Sequence, residues 1–241
     1  MAKEVRRYPN LLFGASINPY RKDAIERLEQ AKADGAVLVK WLPSVQMIDP
    51  ADKRLIPFYR KMKALGLPLM CHTGSEQSFT WKRDELADPD RLRLPLSIGV
   101  TVIAAHAGGS GKTNGENNFK RFLRLAREYP NLYADISALT QVNRLGQLPR
   151  LLKYRELRGR LLYGSDMPLI NTALTAPCFH GYRLTPGTVL IVTAEKNPWD
   201  RNIALEKALG VSDEILENSA GLLKLNQGEP KLCEAVNFSK K

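Results

Sequence analysis

The chain has 241 residues, 44% of them apolar and 25% charged, which suits one soluble domain with a sizeable core. Its net charge is +11, yet Lys and Arg are interspersed with acids along helix-like stretches such as 21–34 and 118–131, so a solvated basic surface is expected rather than a nucleic-acid partner. No apolar run approaches the roughly 20 residues of a membrane span, and the opening residues lack signal-peptide order, so a cytoplasmic chain without a membrane partner is expected.

Six apolar runs read as strands: 11–18, 36–42, 67–72, 101–106, 131–137 and 160–166. Their onsets recur every 25 to 34 residues, the length of one strand-plus-helix unit. Amphipathic stretches at 20–34, 52–65, 88–98, 117–129 and 147–158 fill the intervals, several of them closed by turn signals such as Asp34-Gly35, Gly66 or Pro130-Asn131. Strand and helix in alternation predict an α/β fold built on a parallel sheet. No low-complexity linker divides residues 1–241, so a single domain is expected.

Residues 167–187 hold three prolines and no clean period, and read as a long loop of the lid-forming kind. The stretch 188–195 is ambiguous between strand and helix. Two helices are expected after it, the second capped by Ser212 with Glu214 and running through SDEILENSAGLLKL. Cys71, Cys178 and Cys233 form no disulfide framework, and Cys71 is expected against the helices as a small apolar residue.

Three of the strand-like runs end on metal-ligand residue types: His72, His106 and Asp166. In an α/β barrel the C-terminal ends of the strands carry the chemistry. Two imidazoles and one carboxylate on that rim point to a divalent-metal site. Side-chain alternation places His106 on the face of Val102 and Ala104, and Asp166 on that of Leu162 and Gly164. Lys40 and Glu76 are weaker candidates for substrate contact, and His180 is expected to be a solvated loop residue. The run Gly111-Lys112-Thr113 imitates the end of a phosphate-binding loop, but His106 stands where that motif needs its first glycine. A glycine-rich rim loop is the better account.

The segments PNLLFGASINPY, GAVLVKWLP, HTG at 72–74, VIAAHAG, NLYADIS, LLYGSDMP and the tail from NPWDRN onward resemble the amidohydrolase-2 branch of the metal-dependent hydrolases. The resemblance implies a TIM-barrel-like (β/α)8 fold, of which this chain carries strands three to eight and lacks the first two strand–helix units. It implies metal ligands at His72, His106 and Asp166, with zinc (or manganese or iron) as cofactor. Asp166 and His106 become the catalytic pair, Asp166 as the base toward a metal-bound water and His106 stabilising the oxyanion. The His-x-His pair with which the family's first strand holds its metal occurs nowhere in this sequence. A bridging carboxylated Lys40 is disfavoured, because it also needs that pair.

The expected activity is hydrolysis of a small, anionic amide, ester or lactone; decarboxylation at the same site is a variant. The rival is a non-catalytic barrel remnant that binds a ligand or partner without metal. Open barrel edges would also favour a homo-oligomer.

Overall fold

A computed structural model describes residues 2–8 and 11–223. In chain order its elements are α1 (Ala2–Val5), β1 (Gly14–Ala15), α2 (Ala24–Ala33), β2 (Leu38–Trp41), α3 (Pro43–Gln46), α4 (Ile56–Ala64), β3 (Leu69–His72), α5 (Arg93–Ile98) and β4 (Val102–Ala105). A short antiparallel hairpin, β5 (Lys112–Thr113) and β6 (Glu116–Asn117), leads into α6 (Asn118–Glu128). The chain continues through β7 (Leu132–Asp135), α7 (Gln147–Leu151), β8 (Leu161–Leu162), α8 (Pro186–Ala194), α9 (Pro198–Ala208) and α10 (Asp213–Leu222).

Six strands pair in parallel in the order β1-β2-β3-β4-β7-β8, so all six expected strands form, each shorter than its apolar run. The barrel is not closed: β1 and β8 are the two sheet edges. One cross-strand row runs Trp41, Cys71, Ala104, Ala134 and Leu161. These residues, with Val39, Leu69, Val102 and Leu132, belong to the core between sheet and helices. Cys71 sits there as expected, 1% exposed. Trp41 stacks on Phe58 of α4 and donates its indole N–H to the Ile17 carbonyl at 2.8 Å.

The helices follow local signals. Asn117 caps α6 by accepting from Phe119 and Lys120 N–H, and the apolar face Phe119, Phe122, Leu123, Leu125 and Ala126 is buried. Asn197 caps α9, with Pro198 in its first turn. The ambiguous stretch 188–195 is helical: Pro186 opens α8 and Thr185 accepts from the Thr188 amide. Its β-branched residues mislead because the helix is exposed, with Ile191 76% accessible.

Four expectations need correction. Residues 169–180 are not an unstructured loop but three 3-10 turns, Leu169–Asn171, Ala173–Thr175 and Pro177–His180. His180 is fully buried, its Nε2 2.9 Å from the Thr140 carbonyl oxygen, because the last of these turns packs against the segment that follows β7. Ser212 holds the N-cap position of α10 but makes no capping bond; Glu214 falls one residue short of the position a capping box requires. The last two residues of SDEILENSAGLLKL, and Cys233, lie outside the described residues. The fourth correction concerns His106. Val102 and Ala104 pack on the helix side, yet the His106 ring lies against His72, with ring centroids 4.9 Å apart. The strand ends at Ala105, and left-handed backbone at His106 (φ 65) and Ala107 (φ 49) turns the ring to the other face.

Candidate active site

The strand ends converge on a cavity of about 600 Å³ lined by Lys40, His72, Glu76, His106, Arg144 and Asp166, with Leu169 and Leu174 of the turn segment forming one wall. All five residues expected to serve the site therefore share one cavity. Lys40 and Met70 are cross-strand partners, and Lys40 faces away from the helix-side core. His72 closes β3. Glu76 follows it and is buried rather than solvated, its Oε2 3.6 Å from His72 Nε2. Asp166 lies beyond β8 in left-handed backbone (φ 54). Gly164 leaves room beneath it: a Cβ there would lie 3.0 Å from the Ser137 Cβ.

His106 is held from behind. Its amide donates to Asp135 Oδ1 at 2.8 Å. The Ser137 hydroxyl donates to the same carboxylate oxygen at 2.6 Å, and His106 Nδ1 lies 2.8 Å from that hydroxyl and 3.0 Å from the Ser137 carbonyl oxygen. With the hydroxyl proton committed to Asp135, both Ser137 oxygens can only accept, which assigns the ring proton to Nδ1. The Nε2 lone pair is left unprotonated. An imidazole of this tautomer accepts a proton or a ligand; it does not donate to an oxyanion.

Burial holds both imidazoles neutral. It lowers His72 and His106 to a pKa of about 3, with His106 as a further cause at His72 and Arg144 as one at His106. Burial pushes Asp166 upward, opposed by the nearby charges of Arg144 and Lys40. Glu76 is held below the usual range against its burial, chiefly by the Ser78 amide, which donates to Oε1 at 2.6 Å.

Arg144 is the feature that residue-by-residue reading of the sequence missed. It lies in a 3-10 turn after β7, is 9% exposed, and has neither Nε nor Nη1 hydrogen-bonded. Among the described residues no carboxylate lies in salt-bridge contact with it, although Asp166, Glu76 and Asp135 are close enough to act on its charge. A buried guanidinium with open donors is costly unless a ligand completes it. Asp135, inside the run NLYADIS, reads in the sequence as one residue of a strand.

The donor set does not complete a metal centre. His72 Nε2 is buried without a partner, but among the described residues no three His, Cys, Asp or Glu side chains are placed to hold a metal. A catalytic zinc takes three protein donors, which these side chains as placed do not supply.

The amidohydrolase family model matches residues 1–198. The chain belongs to the amidohydrolase-2 family. That family is generally metal-dependent. Among solved structures the chain is similar to an uncharacterised TIM-barrel protein of Bordetella bronchiseptica (19% identity, 86% of this chain and 71% of that one, TM-score 0.57). It is also similar to a probable 2-pyrone-4,6-dicarboxylic acid hydrolase of Acinetobacter baumannii with citric acid bound (17%, 93% and 77%, TM-score 0.61). A third is a 2,6-dihydroxybenzoate decarboxylase of Rhizobium (13%, 93% and 74%, TM-score 0.52). At these identities the likeness establishes the fold, a TIM-barrel relative in this amidohydrolase. No curated protein sequence matches the chain significantly. Among the described residues no helix is long and apolar enough to cross a membrane.

Proposed function

We propose that this amidohydrolase acts on a small carboxylate-bearing ester, lactone or amide, and that the cavity around Arg144 is its active site. The observation that carries the reading is the buried Arg144 guanidinium with two open donors, suited to a substrate carboxylate, in a cavity that Lys40 also lines. Anchored there, the substrate lies against Asp166 and two neutral imidazoles. Burial makes the Asp166 carboxylate more basic than an exposed one, so it takes the proton of an attacking water and returns it to the leaving group. His106 Nε2, a lone pair fixed by the Ser137 contact, receives a hydrogen bond from that water and orients it. The oxyanion of the tetrahedral intermediate falls to Lys40. Two of the similar structures are named for carboxylate ligands or substrates, in keeping with this class.

The same carboxylate anchor would serve a decarboxylase, which releases carbon dioxide instead of consuming water; the Rhizobium structure is the observation in favour of that variant. The test is a panel of carboxylated lactones, esters and aromatic acids, assayed for ring opening, alcohol release and carbon dioxide. Hydrolysis that falls by about two orders of magnitude or more in Asp166→Asn supports the hydrolase. Carbon dioxide release supports the variant. Binding without turnover of any member leaves a non-catalytic binding barrel.

A further inference from the structure

The loop after β4 builds a second cavity, of about 330 Å³, which shares Asn143 and Arg144 with the first. Ser110 and Gly111 form one side, the start of α6 another, and Gln147 and Arg150 of α7 a third. We propose that this cavity is a binding site for a phosphate-type oxyanion, held by Arg150, the Ser110 hydroxyl and Arg144. The site shares Arg144 with the first cavity, so an anion here and a substrate carboxylate there would compete for that guanidinium; Arg150 and Ser110 line this cavity alone.

Its charge is one-sided. Two arginines line it and no acidic residue does, whereas the first cavity carries Glu76 and Asp166 beside its cations. Gln147 and Asn143 already donate their amide N–H groups, to the Gly109 carbonyl and to Gln77, but other donors are unspent. The Ser110 hydroxyl is buried with no hydrogen-bond partner, and Arg144, nine-tenths buried, has Nε and Nη1 unpaired. Arg150 is exposed and lies over the Phe119 ring, 5.3 Å from its centroid, a contact that leaves its N–H groups free for a ligand. The eleven-residue α6 begins here, so its positive end adds to the field. Donors from three separate elements suit a group with several acceptor oxygens better than they suit a single carboxylate.

Packing alone requires the glycines of this loop. A Cβ on Gly109 would lie 2.5 Å from the Thr73 carbonyl oxygen, and one on Gly111 would lie 2.0 Å from Ser75 Oγ. Nor is the loop a nucleotide-binding P-loop, since the β5–β6 hairpin separates Lys112 from α6.

Inorganic phosphate and glycerol 3-phosphate are titrated calorimetrically into the full chain and into Arg150→Ala, Ser110→Ala and Lys40→Ala, each first checked for an unchanged melting temperature. One site of millimolar affinity or better is expected. Arg150→Ala should weaken it by about tenfold or more, Ser110→Ala by about fivefold, and Lys40→Ala, in the other cavity, by less than about twofold. Tighter binding of either ligand identifies the source as free phosphate or a phosphate ester. Absence of binding by the folded chain overturns the proposal. So does a loss in Lys40→Ala that Arg150→Ala does not share, which would put the anion in the first cavity.

Discussion

The backbone amide of His106 donates to Asp135 Oδ1 at 2.8 Å, tying the turn after β4 to the last residue of β7. Asp135 also accepts from the amide and the hydroxyl of Ser137, so one buried carboxylate fixes both the His106 backbone and the group that holds its ring. Replacement by Ala leaves three donors in a buried site without an acceptor. Asp135→Ala should destabilise the fold by about 3 kcal/mol, which for a chain of this size lowers the melting temperature by roughly 6–12 °C. Calorimetric melting of the two proteins checks it; a shift within one degree would show that water replaces the carboxylate at no cost.

Gly74, in the HTG segment, has φ +87, and a Cβ there would meet backbone alone: Gly108 O at 2.5 Å, Gly109 Cα at 2.9 Å and Ser110 O at 2.9 Å. Gly35 has nearly the same φ, +88, with nothing within 4 Å. Gly35→Ala should therefore cost only the left-handed backbone strain, about 1 kcal/mol, and Gly74→Ala that strain plus a clash that no rotamer relieves, about 3 kcal/mol or more. Urea unfolding of both variants compares them. Equal losses would mean that the rim loop gives way.

Glu206 on α9 is 1% exposed and its Oε2 has no partner. Burial raises its pKa well above the usual carboxylate value, with Asp135 adding to the effect. A carboxyl whose folded pKa is raised contributes its stability in full at low pH, and that contribution is lost as pH rises through the folded pKa. Glu206→Gln keeps the shape and removes the titration. The variant should match the wild type near pH 4 and melt above it at pH 8, by more the higher the pH; parallel melting curves at both pH values would contradict this.

The sheet was legible because strands buried on both faces read as continuous apolar runs. The hairpin β5–β6 was not, since Lys112–Thr113 and Glu116–Asn117 are polar and two residues long. That His106 would reach His72 was legible from its place at a strand end, but the route was not. Period-2 alternation stops at Ala105, and no glycine marks the left-handed residues after it. Arg144 and Asp135 acquire their roles only through burial beside other elements, which their own sequence neighbourhoods do not encode. His180 was misread for the same reason.

The measurement that bears most directly on the account is calorimetric titration of citrate, the ligand seen in the Acinetobacter structure, into the chelator-treated wild type and into Arg144→Met, with melting curves of both. Charging Arg144 in the fold is opposed by burial, so the methionine variant should be as stable as the wild type or more so, by about 1 kcal/mol. Its citrate affinity should fall by about two orders of magnitude, the loss of a bidentate charged contact. Undiminished citrate binding in Arg144→Met, or a variant that melts far below the wild type, would make Arg144 a structural residue and contradict the carboxylate-binding active site.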